Sequence, residues 1–187
     1  MWSKTLAFLV LSSLAWAGSG QLTPSDVLGG VLDVVRADWN NDGVLDRAVL
    51  WQPQPASDLA NLFVFLSTKT GEPRVVAAAG VAWSQFGGHE AWLEADPHGF
   101  SVLSGGSAGG LKWQEGLAVA FDEAGPRVVG YSYHSYETDK GGKTFVCTAD
   151  YVARKGSRNG ATFAIAGGPP LLADWAYERI PVPCRAH

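Results

Sequence analysis

The chain of 187 residues carries a formal net charge of −4, and 17% of its residues are charged while 47% are hydrophobic. This composition excludes an intrinsically disordered chain, and the acidic balance argues against nucleic acid as a partner. The 23 glycines and 10 prolines favour short strands joined by tight turns over a helical bundle, so we expect one all-β domain.

The first 17 residues have the pattern of an export signal. Lys4 gives a positive start, an apolar run extends from Thr5 to Leu14, and Ala15-Trp16-Ala17 offers the small residues that signal peptidase recognises. The run is too short to span a bilayer, which needs ~20 residues, and no membrane span is expected elsewhere. We expect residues 1–17 to be a signal peptide and residues 18–187 to form a single β-rich domain in the periplasm or the medium. A buried strand or an anchor helix is the alternative for the first segment.

The remaining elements follow in chain order. Thr23-Pro24-Ser25-Asp26 predicts a short N-terminal helix that ends after Leu28. Turn signals with Asp first and Gly fourth lie at 96–99 and 122–125, and a further turn is expected near 171–175. Because no helical pattern separates the strands, we predict an antiparallel meander forming a sandwich or a partly open barrel. The alternating, β-branched segments predict strands at Val31–Ala37, Arg47–Gln52, Leu62–Ser67, Arg74–Ala82, Glu90–Ala95, Phe100–Leu103, Leu117–Phe121, Arg127–Tyr136, Lys143–Ala153 and Ala161–Ala166.

Export would place the two cysteines of the chain in an oxidising compartment. Cys147 and Cys184 are the only pair in the chain, so an oxidising compartment favours a disulfide between them. The bridge would hold the Pro-rich C-terminal segment, which would otherwise be loose. Two buried free thiols are the alternative.

The sharpest motif is a D-x-N-x-D-G-x-x-D loop between the first two predicted strands. Oxygen ligands at its first, third, fifth and ninth positions can converge on one cation, and Gly43 permits the sharp turn that this requires. Ca²⁺ suits a flexible shell made only of oxygen ligands, and it would offset the repulsion among three neighbouring carboxylates. In the alternative, the aspartates only make Asx turns in a solvated hairpin. We predict a Ca²⁺ site formed by Asp38, Asn40, Asp42, the backbone carbonyl of Val44, and Asp46.

The flanking strands decide which kind of calcium loop this is. An EF-hand needs a helix on each side and a Glu at position 12, where this chain has Val49. The loop instead resembles the FG-GAP or VCBS-type calcium loop of integrin-like and secreted bacterial proteins, and this resemblance implies the same five ligands. It covers about residues 31–52. The upstream Phe-Gly and Gly-Ala-Pro segment of that family is missing, and the loop occurs once, so the repeated blades of a β-propeller are not implied.

A second resemblance covers the central third of the chain. The Gly-Gly-Ser segment 105–107, with the Trp-bearing hairpin after it, looks like small secreted bacterial β-proteins of uncharacterised function. It adds no activity to the prediction of a secreted β-protein.

One pattern could belong to a serine hydrolase. Residues 105–109 match G-x-S-x-G with Ser107 as nucleophile, and Asp139 or Asp150 and then His187 follow in the order of a hydrolase triad. That motif requires a helix after the serine, whereas the sequence leads into another strand. A flexible Gly/Ser turn explains the motif better.

Carboxylates could also carry catalysis. Glu90 and Glu94 share one strand face, as the acid pair of a glycosidase could, although a solvated polar face opposite Ala91 and Leu93 is the simpler explanation. The histidines lack the spacing of a zinc site.

Aromatic residues are the last candidates. Tyr131 and Tyr133 share one strand face, with His134 and Tyr136 on the other. Such faces can stack on sugar rings, although packing in the core is the usual role of these residues in strands. The tryptophans beyond the signal segment are Trp39, Trp51, Trp83, Trp92, Trp113 and Trp175.

These observations predict an exported, calcium-stabilised β-domain with a non-enzymatic binding or structural role. They do not identify its partner, for which a glycan and an envelope protein are the candidates. The alternative is a secreted or periplasmic hydrolase that uses carboxylates or Ser107. A concave pocket collecting two or more of a small set of side chains would favour the hydrolase. That set is Glu90, Glu94, Ser107, Asp139 and His134.

Overall fold

The computed structural model describes residues 30–52, 58–69, 71–84, 90–138 and 141–185. The expected signal peptide and N-terminal helix lie outside these residues. The described part of the chain contains strands β1 Val31–Ala37, β2 Asp46–Trp51, β3 Leu59–Leu66, β4 Arg74–Trp83, β5 Glu90–Asp96, β6 Gly99–Ala108, β7 Leu111–Asp122, β8 Gly125–Glu137, β9 Thr144–Asp150, β10 Lys155–Arg158 and β11 Ala161–Ala164. Its helices are single 3₁₀ turns at Leu172–Asp174, Tyr177–Arg179 and Val182–Cys184.

The strands form two antiparallel sheets, and within each sheet the strands pair in sequence order. One sheet has the order β1-β2-β3-β4, and the other has the order β11-β10-β9-β8-β7-β6-β5. The predicted all-β antiparallel meander is confirmed, and the sheets do not close into a barrel. No helix within the described ranges is long and apolar enough to cross a membrane.

The hairpin between β6 and β7 differs from the prediction. The two strands run to Ala108 and from Leu111, joined by a turn at Gly109 and Gly110, both of which have positive φ. A flexible turn at 105–109 was therefore a wrong prediction, because Gly105 and Gly106 pair with Gln114 and Trp113 in a regular ladder. A glycine lowers strand propensity but keeps both of its backbone hydrogen-bonding groups.

A second difference lies after β9. The strand predicted to continue to Ala153 ends at Asp150, whose carboxylate accepts the Ala153 N–H at 2.8 Å in a four-residue turn. Strand β10 was not predicted, because it lacks apolar β-branched residues and its end resembles a turn. It pairs with both β9 and β11.

The two Asp-first turns lie where they were predicted. At the second, the Asp122 carboxylate accepts the N–H groups of Ala124 and Gly125, and Gly125 has φ +123°. Gly99, which ends the first turn, lacks a positive φ and is needed for another reason. A Cβ there would lie 1.9 Å from the carbonyl oxygen of Val119 in β7, so only glycine fits.

The core lies between the two sheets. Alternate residues of β2 and β3 face alternate residues of β6, β7 and β8, as expected for a sandwich with one buried face per sheet. Edge contacts join the layers as well, since the Leu93 N–H in β5 donates to the Asp33 carboxylate in β1 at 2.8 Å. The fully buried residues include Leu50, Leu62, Val64, Phe100, Val102 and Val128.

The C-terminal segment, residues 167–185, covers the part of the larger sheet that the smaller sheet leaves open. Leu172, Trp175 and Ile180 are buried there, and the Trp175 ring lies edge-on to Tyr151 at 6.2 Å. The segment begins with the Val128 N–H donating to the Pro170 carbonyl at 3.0 Å. It ends at the predicted disulfide between Cys147 and Cys184, which is confirmed.

The first prediction concerns the disulfide. Replacing both cysteines by alanine, in a Cys147→Ala/Cys184→Ala variant, should lower the free energy of unfolding by ~2–4 kcal/mol, because the unfolded chain regains the freedom that the closed loop removed. Urea unfolding of the two proteins measures the difference. Reducing agent should destabilise the wild type and leave the variant unchanged; equal midpoints for wild type and variant would contradict a stabilising bridge.

Candidate functional site

The predicted calcium loop is a compact turn between β1 and β2. The Asp38 carboxylate accepts the N–H groups of Asp42 at 3.0 Å and Gly43 at 2.8 Å, while the Asn40 side-chain oxygen also lies 3.0 Å from the Asp42 nitrogen. Asp42 in turn accepts the Val44 N–H at 2.7 Å. Gly43 has φ +86°, so it supplies the sharp turn expected of it. The side-chain oxygens of the first and third positions of the loop thus meet at one backbone nitrogen, that of Asp42.

Asp46, the ninth position, is fully buried and has structural partners. One carboxylate oxygen accepts the Ser67 N–H at 2.7 Å, and the other accepts the N–H groups of Trp39 and Asn40 at 2.9 and 3.3 Å. These bonds join the loop to the end of β3. Asp46 therefore links the backbone of the loop to the segment that follows β3.

Trp39 anchors the same loop in the core. Its ring stacks on Phe121 at 5.1 Å and contacts Phe100 at 5.2 Å, and its Nε1–H donates to the Gly99 carbonyl at 2.9 Å. The second residue of the motif is thus a core residue that spans the two sheets.

The donor chemistry of the loop fits Ca²⁺, although its carboxylates are not gathered as a metal cluster. Across the described ranges, no three His, Cys, Asp or Glu side chains form a group that could hold a metal ion. Each carboxylate oxygen that accepts an N–H retains a second lone pair. The loop could therefore bind an ion through Asp38, Asn40, Asp42 and the Val44 carbonyl while keeping its hydrogen bonds. Both carboxylate oxygens of Asp46 already accept backbone N–H groups.

The candidate catalytic residues are dispersed. Ser107 is exposed near the end of β6, inside a hairpin rather than at a strand-to-helix turn. Glu90 and Glu94 are exposed on β5, on the face opposite buried Leu93, and Glu94 accepts the Trp92 Nε1–H. His134 is exposed on β8. Asp150 caps the turn after β9, and Asp139 and His187 lie outside the described residues.

A concave pocket of about 640 Å³ forms at another place, where β4, β7, β8 and the C-terminal segment meet. None of the candidate catalytic residues lines it. Its lining includes five aromatic side chains, and its volume is in the range of small-molecule sites, ~300–1,000 Å³. The lining residues are Asp58, Trp83, Leu111, Trp113, Glu115, Tyr131, Tyr133, Tyr177, Glu178, Ile180 and Arg185.

Glu115 of β7 forms the buried base of the pocket, with 5% of its surface exposed. Its Oε1 accepts the O–H groups of Tyr131 at 2.7 Å and Tyr177 at 3.0 Å. The Tyr177 oxygen accepts the Trp83 Nε1–H at 3.0 Å. One carboxyl group thus joins β4, β7, β8 and the C-terminal segment.

The second oxygen of this carboxyl group, Oε2, is enclosed and has no hydrogen-bond partner among the described residues. Ser104 lies directly opposite Glu115 in the β6–β7 ladder, and its buried Oγ is also unpartnered there. A buried acceptor without a donor lowers the stability of a fold by ~1–3 kcal/mol, so this carboxyl group destabilises the protein.

Burial controls the acid–base chemistry of the pocket. Desolvation raises the pKa of Glu115 above its ordinary value of 4.5, and the bonds from Tyr131 and Tyr177 partly oppose that shift. Burial, together with the nearby Glu115 charge, raises the pKa of Tyr131 and Tyr177, so both phenols stay protonated and donate. A perturbed carboxyl in a cleft is typical of functional sites.

Four of the rings that line the pocket form two pairs, the Trp113–Tyr133 wall and the Trp83–Tyr177 wall. Trp113 and Tyr133 lie nearly parallel, with 11° between their planes, and their ring centroids are 6.4 Å apart. Trp83 and Tyr177 meet edge to face, at 88° and 6.1 Å. All four are half-buried, so parts of the rings stay accessible from the pocket.

Sequence reasoning found some residues of this pocket and missed its centre. Tyr131 and Tyr133 were predicted to share a face, and both line the pocket. Glu115 was not a candidate, although a signal exists: it occupies the inward phase of β7 between Trp113 and Leu117, where an apolar residue is expected. Tyr177 carries no local signal.

Comparison with known proteins adds no family to this description. The chain matches no protein-family model, no curated protein and no solved structure.

The second prediction concerns Glu115 and pH. Its raised pKa means that the folded chain keeps a proton that the unfolded chain releases, so stability should fall as pH rises from about 4.5. Glu115→Gln removes this loss while its amide oxygen still accepts the two phenols. The unfolding free energy of the variant relative to wild type should therefore increase between about pH 4 and about pH 7 in urea titrations.

The matched control is Glu94→Gln, which changes an exposed glutamate of the same sheet. Its difference from wild type at each pH is the baseline against which the Glu115→Gln difference is compared. A constant difference between Glu115→Gln and wild type across this range would contradict the shifted pKa.

Proposed function

We propose that this protein is an exported, calcium-stabilised β-sandwich that acts as a non-enzymatic binding module, with its ligand site in the pocket at Glu115. The observation that carries the proposal is the pocket itself, in which partly exposed aromatic rings surround a buried carboxyl. Aromatic side chains with a small number of polar groups are the usual composition of a small-molecule site.

The distribution of the other candidates supports binding rather than hydrolysis. Ser107, Glu90, Glu94 and His134 stand apart on exposed strand positions, and none of them lines the aromatic pocket. Glu115 directs one oxygen to two phenol donors, an arrangement that positions the tyrosine rings.

Export and calcium binding are parts of the same proposal. The disulfide fits an oxidising compartment, in agreement with the signal-like pattern of residues 1–17. The loop oxygens of Asp38, Asn40 and Asp42 support Ca²⁺, with Val44 and Asp46 completing the proposed set. Calcium would stabilise the hairpin that holds Trp39 in the core.

The third prediction tests calcium. Binding to the folded state alone stabilises it by ~2.7 kcal/mol at a free concentration of about 100 times Kd, so calcium should raise the Tm above that in chelator. Asp42→Asn keeps an oxygen for the Val44 N–H but removes the charge, so it should lose most of the shift and keep its stability in chelator. Differential scanning fluorimetry measures both.

Glu123→Gln, at an exposed position in the β7–β8 turn, is the control and should retain the calcium shift. Identical melting of the wild type in calcium and in chelator would leave Asp38 and Asp42 with only their Asx-turn role.

The fourth prediction tests the pocket. A panel of cellobiose, maltose, choline, lysine and benzoate should contain at least one compound that binds wild type in isothermal titration calorimetry. Trp113→Ala should weaken that binding by at least about tenfold, since it removes one of the two aromatic walls. Trp92→Ala changes a half-buried tryptophan that does not line the pocket and should leave the affinity unchanged.

Two results would count against a binding site in this pocket. One is that no panel compound binds. The other is that a compound binds but loses the same affinity in Trp113→Ala and Trp92→Ala.

A further inference from the structure

The charges around the pocket are unevenly distributed. Its lining carries three carboxyl groups, from Asp58, Glu115 and Glu178, and a single guanidinium, from Arg185. The Arg185 guanidinium donates to the backbone carbonyls of Ile180, at 3.1 Å, and Glu178. Two of its nitrogens, Nε and one terminal nitrogen, therefore donate within the C-terminal segment. The electrostatic character of the pocket is acidic, which attracts a positive ligand and opposes an anionic one.

The burial of Glu115 prevents a cation from contacting its carboxylate oxygens directly. One oxygen already accepts two phenols, and the other is enclosed, so neither is open to a ligand entering from solvent. A ligand in the pocket therefore contacts the lining rings and lies beside the carboxylate rather than on it. The charge acts through a short, poorly solvated distance, where Coulomb interactions are stronger than in water.

This arrangement selects among cations. A primary ammonium would leave water and find few acceptors among rings, which costs free energy for each unsatisfied N–H. A methylated quaternary ammonium has no N–H to satisfy, and it gains from contact with the faces of Trp and Tyr rings. Trp83, Trp113, Tyr133 and Tyr177 supply such rings, since all four line the pocket and are partly exposed.

We propose that the pocket binds the methylated ammonium group of an organic cation, held between the Trp113–Tyr133 and Trp83–Tyr177 walls, with Glu115 as its buried counter-charge. This inference rests on the proposed binding function and names the chemical class of its ligand. Asp58 and Glu178, exposed at the rim, add attraction at long range that salt screens more strongly than it screens the buried group.

The decisive comparison uses choline and 3,3-dimethyl-1-butanol, which has the same shape with a neutral carbon in place of the nitrogen. Titration calorimetry at constant ionic strength, in calcium-containing buffer, should give choline an affinity at least about tenfold higher than that of the alcohol. Glu115→Gln should remove most of this preference, because it keeps the acceptor for both phenols and deletes the charge. Trp113→Ala should weaken both compounds.

A pH series on the natural side chain supports the same conclusion if Glu115→Gln folds poorly. A cation favours the ionised carboxylate, so choline affinity should increase as pH rises above about 4.5, with a proton released on binding, while affinity for the alcohol stays constant. An Asp58→Asn/Glu178→Gln variant removes the rim carboxyls and leaves Glu115 as the acid facing the rings. Tyr131, Tyr133 and Tyr177 stay protonated across this range, and the other charged group of the lining is the Arg185 guanidinium.

The outcomes separate this inference from the proposed function. Equal affinity for choline and the alcohol, or binding of cellobiose without choline, would overturn the cation and leave a binding pocket. Choline binding that is unchanged in both Glu115→Gln and Trp113→Ala would place the cation elsewhere and overturn the inference. Failure of every panel compound would count against the binding function as well.

Discussion

A mismatch in width between the two layers governs this structure. A sheet of four strands cannot cover the inner face of a sheet of seven, and an uncovered apolar face would be costly in water. The C-terminal segment fills the difference with Leu172, Trp175 and Ile180, held at its far end by the Cys147–Cys184 bridge. Because a segment of single 3₁₀ turns does not pack as evenly as a sheet, a pocket remains along its junction with β4 and β7.

The buried carboxyl of Glu115 lies at that junction. Through Tyr131 and Tyr177, it connects the sheet to the segment that covers it, and Tyr177 extends the connection to Trp83 of the smaller sheet. The same bonds orient the rings around the pocket. Burying Glu115 costs free energy, but its hydrogen bonds also hold the rings in an arrangement suited to binding. Locally unfavourable groups of this kind are common at functional sites.

The loop at 38–46 serves the fold as well as its proposed ion. Asp46 and Trp39 alternate with the proposed ligands Asp38, Asn40 and Asp42, and they attach the loop to Ser67 and to the core. An ion at this loop would therefore stabilise contacts that span both sheets. The pocket lies at the other end of β7. Trp113 and Glu115 near the start of that strand line it, whereas Trp39 of the loop stacks on Phe121 near its end.

The sequence by itself determined the antiparallel meander, most of its turns and the disulfide. Strand alternation, Asp and Gly turn signals and a single pair of cysteines are local or unique features. It did not reveal β10, which is held by pairing with β9 and β11, or the continuation of β6 through Gly105 and Gly106. Only the tertiary structure decided the pocket, because Glu115 and Tyr177 lie 62 positions apart in the chain and meet when the C-terminal segment folds over the sheet. Contacts between distant segments depend on how the layers pack, which no local pattern encodes.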